Sequence, residues 1–93
     1  MRIKKRWYSK PFTEKNVRLV SENPGVYMLM GGNGAVVYVG HCSNLRRRLL
    51  EHLTRGDVPT EKFRAYETST VDDAQKYQKR FRDVYDPDYN YII

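Results

Sequence analysis

Cysteine is all but missing from this chain. Cys42 stands alone, which excludes an internal disulfide framework and suits a reducing, cytoplasmic setting. Long apolar runs are missing too: no stretch approaches the roughly 20 residues that span a bilayer, so no membrane partner is expected. The basic start, MRIKKRWYSK, leads into neither an apolar stretch nor a small-residue cleavage site, and so does not read as a signal peptide. Internal repeats, low-complexity segments and linker-like stretches are also lacking, and residues 1–93 read as one domain. Negative charge is in short supply. Eleven Asp and Glu against seventeen Lys and Arg leave a net charge of +6.

The basic residues that are present cluster at Arg2, Lys4, Lys5 and Arg6, in an arm over residues 1–12, and again at Arg46, Arg47 and Arg48. Such a footprint suits a polyanion, and nucleic acid is the common one; a merely soluble basic domain has the same composition. Trp7 and Tyr8 in the arm either stack on bases or pin the arm to the core. Hydrophobic residues make up 40% of the chain and tyrosine alone contributes eight, enough for a modest core.

The apolar pattern predicts an α/β (α+β) sandwich: helix, strand, strand, helix, strand, helix, with a three-stranded antiparallel sheet that contains one β-hairpin. The stretch from Pro11 to Gly25 reads as a short helix capped by Thr13 and stopped near Asn23-Pro24. SNLRRRLLEHL places Leu45, Leu49 and Leu53 at helical spacing behind a Ser43 or Asn44 cap, with Gly56 ending the helix. EKFRAYETST reads as the third strand, with Phe63 and Tyr66 packing. The last helix carries Ala74, Tyr77, Phe81 and Val84 on one stripe, ends at Asp86-Pro87-Asp88, and leaves a tail that folds back on the sheet.

Between the first two helices, GVYMLMGGNGAVVYVGH reads as the hairpin. Asn33-Gly34 is a strong signal for a two-residue turn, which pairs residue 29 with 38 and 27 with 40. Side chains alternate along strands, so Tyr27 and Tyr38 share a face. A three-residue loop would split them. Arg48 and His52, four apart, share a face of the following helix beside its leucines, and His41 lies at the end of the second strand. Two tyrosines, two histidines and an arginine thus converge on one edge. Arginine grips a phosphate through paired hydrogen bonds, while histidine or an activated phenol handles protons.

These residues resemble the GIY-YIG nuclease superfamily, most of all the N-terminal incision domain of the excision-repair nuclease subunit, over about residues 24–91. Gly25-Val26-Tyr27 is followed after ten residues by Tyr38-Val39-Gly40, Arg48 stands eight beyond that glycine, and His52 four further on. DPDYN matches the closing segment, with Asn90 at the family's asparagine. The resemblance implies a metal-dependent DNA endonuclease fold. Tyr27, helped by His41 or Tyr38, would activate water, Arg48 would stabilise charge on the phosphate, and His52 and Asn90 would complete the site. One Mg²⁺ or Mn²⁺ would be held by a glutamate. Lys4, Lys5, Arg6, Arg46 and Arg47 would bind nucleic acid. The implied partner is DNA, branched or single-stranded, with a protein partner or homo-oligomer supplying specificity; the implied location is cytoplasmic or nucleoid-associated, and the implied role DNA repair.

One position departs from the pattern. Twelve residues before Asn90, where the glutamate belongs, stands Gln78. A neutral amide offers one oxygen and no charge, whereas Mg²⁺ normally takes at least one carboxylate. Hydrolysis is therefore expected to be absent or weak, whether Gln78 is an engineered change or a natural one. The alternative is a non-catalytic nucleic-acid-binding module on the same fold.

Overall fold

The computed structural model describes residues 2–87 and 89. Four strands and three helices follow in the order β1 (Ile3–Pro11), α1 (Glu14–Val17), β2 (Gly25–Met30), β3 (Val36–Cys42), α2 (Leu45–Arg55), β4 (Lys62–Thr68) and α3 (Val71–Tyr85). All strand pairs are antiparallel, in the order β1-β4-β2-β3. The sheet therefore has four strands where the sequence predicts three. The basic arm is itself a strand, paired with β4 from Ile3–Thr68 to Pro11–Lys62. Its charges hid it: an edge strand tolerates exposed Lys and Arg that blur the apolar alternation, and its partner lies some sixty residues away. Trp7 pins this strand into the core, and Tyr8 is left outside.

β2 is buried at every position, which explains its unbroken apolar run. It lies between β4 and β3 and is covered on both faces. Tyr27 and Leu29 pack with Val17, Val20, Leu45, Leu49, Trp7 and Phe63 on the α2 side, while Val26 and Met28 pack with Val39, Tyr66, Tyr77 and Phe81 on the α3 side. Along the predicted α3 stripe, Ala74, Tyr77 and Phe81 pack inward, but Val84 is 71% exposed. The first helix is a single turn rather than a run to Asn23. Thr13 does cap it, accepting from the Asn16 amide at 3.3 Å.

The hairpin reaches its expected register by another route. The Gly34 amide donates to the Gly31 carbonyl, the Gly31 amide to the Ala35 carbonyl, and Gly34 alone in the loop takes a positive φ, 84°. That is a three-residue loop closed by a glycine bulge, which on its own would part the tyrosines. A second irregularity follows directly: Met30 pairs with Val36, yet Leu29 pairs with Tyr38. The extra residue on β3 restores the pairing of Tyr27 with Gly40. Tyr27 and Tyr38 share a face after all.

α2 matches its predicted bounds and caps, but of the predicted stripe only Leu45 and Leu49 are buried; Leu53 is half-buried and His52 lies inward instead. Asn44 caps it, accepting from the Arg47 amide at 3.0 Å, and Gly56 ends it in the left-handed conformation. The free amides of its first turn are met by the loop before the hairpin: Leu45 donates to the Asn23 carbonyl and Arg46 to that of Ser21. This ties the helix start beside the first residue of β2 and aims its inner face at Tyr27.

Candidate active site

Tyr27 and Gly40 face each other across the β2–β3 ladder, and the Tyr27 phenol lies flat against the Gly40 backbone. A Cβ at residue 40 would stand 2.4 Å from the phenol oxygen. At the other end of β2, a Cβ on Gly25 would meet the Tyr66 carbonyl at 2.3 Å and the Leu45 side chain at 2.6 Å. Both glycines are therefore places of close approach, one for a ring and one for strand β4 and helix α2.

The phenol oxygen of Tyr27 lies 2.8 Å from His52 Nε2, and His52 Nδ1 lies 3.0 Å from Asp57 Oδ1. An ionised carboxylate can only accept, so His52 donates from Nδ1 and its Nε2 is left to accept the Tyr27 hydroxyl. Burial pushes the Tyr27 phenol far above its ordinary range, with Tyr38 and Cys42 adding and Arg48 opposing. Tyr27 is fully buried and His52 only 6% exposed. The expected place of His52 beside the core is thus corrected to a place within it, because Asp57 and Tyr27 satisfy both ring nitrogens. Tyr38, half-buried, packs its ring 5.3 Å from His52 and 6.0 Å from Tyr27.

Asp57 was not foreseen from the sequence. The left-handed cap at Gly56 turns the chain back on α2, bringing a residue just beyond the helix against His52, and His-x₄-Asp spanning a terminal glycine is the signal that marks it. Burial draws the Asp57 pKa upward, but the hydrogen bond from His52 holds it below the ordinary carboxylate range. A depressed carboxylate stabilises the fold above its unfolded pKa, and that contribution disappears as pH falls through the folded value. Thermal melts of the native chain should therefore lose stability below about pH 4 more steeply than those of Asp57→Asn. Equal slopes would show that the contact contributes nothing.

Arg48 borders this cluster. Its Nε donates to Glu51 Oε1 at 3.3 Å, and its side chain is 42% exposed. Its guanidinium is near enough to the Tyr27 phenol to interact with it directly. Glu51 also reaches Arg55 at 3.9 Å. Arg46 is engaged in holding the loop before β2, through the Val20 carbonyl at 2.9 Å and Glu22 at 2.8 Å; Arg47 is exposed. Cys42 is buried, and burial pushes its thiol up to about 11, an inert group at neutral pH.

His41 does not join the tyrosines. Alternation along β3 sends Tyr38, Gly40 and Cys42 toward α2 and Val39 and His41 toward α3. There His41 Nδ1 bonds Gln78 Oε1, and Gln78 Nε2 donates to the Val39 carbonyl at 3.2 Å. Both ends of the amide are occupied. The expected single cluster is divided by edge strand β3, with Tyr27, Tyr38, Arg48 and His52 on one side and His41 and Gln78 on the other. Asn90 lies outside the described residues.

These donors do not fit a divalent cation. Gln78 carries no charge, its oxygen is taken by His41, and no group of three or more His, Cys, Asp or Glu gathers among the described residues. Lys76, Lys79 and Arg82 outnumber Asp72 and Asp83 around the depression that Gln78 borders.

Solved structures share this architecture. The GIY-YIG N-terminal endonuclease domain of UvrC from Thermotoga maritima, bound to magnesium as its catalytic divalent cation, superposes with a TM-score of 0.70 at 23% identity, covering 81% of this chain and 91% of that one. The α+β fold with its four-stranded antiparallel sheet is therefore that of the UvrC GIY-YIG endonuclease domain. In sequence the chain is similar to the UvrABC system protein C of Chlamydia muridarum, 32% identical over 92 residues, and to that of Alkalilimnicola ehrlichii, 44% identical over 46 residues. These matches take in 88% and 48% of this chain but only 15% and 8% of the relatives' lengths. The chain belongs to the family described as a domain of unknown function, DUF7508, whose model matches residues 1–84.

Proposed function

We propose that this chain is a DNA-binding GIY-YIG domain that keeps a phosphodiester site and has lost the metal carboxylate that would make it cut. The observation that carries this reading is the Gln78 amide, held at one end by His41 and at the other by the Val39 carbonyl. A side chain bonded in this way holds the two layers together; it does not offer itself to a cation. On the other side of β3, Arg48 is exposed enough to grip a phosphate. Tyr38, rather than the sealed Tyr27, is the phenol that reaches solvent. Tyr27, His52 and Asp57 act behind it, fixing the ring against which Tyr38 packs. On this reading Gln78 takes the position of the metal-binding glutamate that the GIY-YIG resemblance implies.

A nicking assay on supercoiled plasmid with Mg²⁺ or Mn²⁺, run beside a DNA-binding isotherm, tests the reading. The native chain should bind with an affinity that falls steeply with salt, because phosphate contacts release counterions, and should leave the plasmid intact. Metal-dependent cleavage that Arg48→Ala abolishes would refute the lost-carboxylate reading. Salt-independent binding would refute the DNA-binding one.

A further inference from the structure

α3 covers only half of its side of the sheet. It packs over β3 and β2 and meets β4 only lightly. Among the described residues α3 reaches β4 chiefly where Phe81 meets Tyr66, and β1 has no comparable helix contact on this side. The register identifies what that half displays. Arg6 stands opposite Tyr66, which faces α3, and Lys62 stands opposite Pro11 and Met30. Arg64, opposite Met28, points the same way. None of the β1 and β4 residues on this face is acidic.

At its centre stands Tyr8, 57% exposed. Its ring meets the buried Tyr66 edge-on, with centroids 6.1 Å apart at 83°, and Tyr66 rests in turn on Phe81 at 5.3 Å. The exposed phenol therefore has the Tyr66 ring against it, and that ring is in turn backed by Phe81. The strand irregularity after Trp7 helps: Ser9 takes a φ of 40° and accepts from Arg64 Nε at 3.0 Å, which anchors that guanidinium beside the ring. Along the rim Arg80 lies over the Tyr77 ring at 5.7 Å, and Tyr85 is 42% exposed.

We propose that this bare half-face binds single-stranded DNA, with a base stacked on Tyr8 and its phosphates met by Arg6, Lys62 and Arg64. The combination of an exposed ring and neighbouring cations, on strands that present no acid to this face, is what an unpaired strand needs and a duplex cannot use. Every base has a π-face to stack, but in a duplex those faces are already taken. This surface lies across the sheet from Tyr27, Tyr38 and Arg48, and it stands or falls independently of the phosphodiester site.

Fluorescence anisotropy with a labelled oligo-dT of about 12 nucleotides and a matching duplex tests it, with amide chemical shifts recorded on the same titrations. Tyr8→Ala should weaken the single strand about tenfold and leave the duplex unchanged, while Tyr8→Phe should retain native affinity. Arg6→Ala should lower the salt slope of single-strand binding by about one. The shifts should fall on β1 and β4. The proposal is overturned if Tyr8→Ala binds oligo-dT like the native chain, if it weakens strand and duplex equally, or if the shifts are confined to α2 and β3.

Discussion

Gln78→Glu is expected to raise Mg²⁺- or Mn²⁺-dependent nicking of supercoiled DNA by at least about 10²–10³-fold over the native chain, the scale on which a single preorganised electrostatic group acts. The substitution preserves volume and can still accept from His41 Nδ1. It replaces the donor that now serves the Val39 carbonyl with an oxygen that this carbonyl repels, so that carboxylate oxygen turns away and a formal charge is added where a cation would need it. The lost donor should cost about 1 kcal/mol of stability, a penalty the fold can bear. The double variants Gln78→Glu, Tyr38→Phe and Gln78→Glu, Arg48→Ala serve as controls, and neither should cut. If Gln78→Glu binds DNA and divalent metal yet leaves the plasmid intact, the tyrosines and Arg48 are scaffold and the domain is a binding module.

Gly40→Ala should be among the most damaging single-atom additions available to this fold. The new methyl would stand within 3 Å of three atoms of the Tyr27 ring and hydroxyl, and Tyr27 cannot withdraw, because it is fully buried and bonded to His52. Overpacking of this kind costs roughly 1–3 kcal/mol or more. At about 4–8 °C per kcal/mol for a domain of this size, the melting temperature should fall by roughly 4–24 °C. Tyr27→Phe in the same background should recover part of the loss by removing the oxygen nearest the new methyl. A melting temperature unchanged by Gly40→Ala would mean that the ring does not lie on that glycine.

The candidate site was legible in the sequence to the extent that it depends on local spacing. The pairing of Tyr27 with Gly40, the shared face of Tyr27 and Tyr38, and the helical step from Arg48 to His52 all follow from periods of two and of 3.6 residues. Even so, the tyrosines meet by a route the pattern did not reveal. A three-residue loop shifts the register and an extra residue on β3 shifts it back, and two such irregularities cancel without a trace in the apolar alternation. His41 went to the other face for the opposite reason: nearness in sequence to Gly40 says nothing of the side to which a strand residue points.

Asp57 and strand β1 escaped detection for one common reason. Each owes its position to a partner that local periodicity does not connect to it: Asp57 to His52 across a left-handed helix cap, and β1 to β4 some sixty residues away. By itself the sequence determined the elements with strong internal periods, the glycine-bearing motif, the excess of positive charge and the amide at residue 78. Only the tertiary structure decided that the basic arm is an edge strand, that His52 is sealed between a phenol and a carboxylate, and that Gln78 is occupied on both sides. Periodicity is written into neighbouring residues, whereas burial and hydrogen-bond partners are assigned by the other strands and helices that happen to arrive.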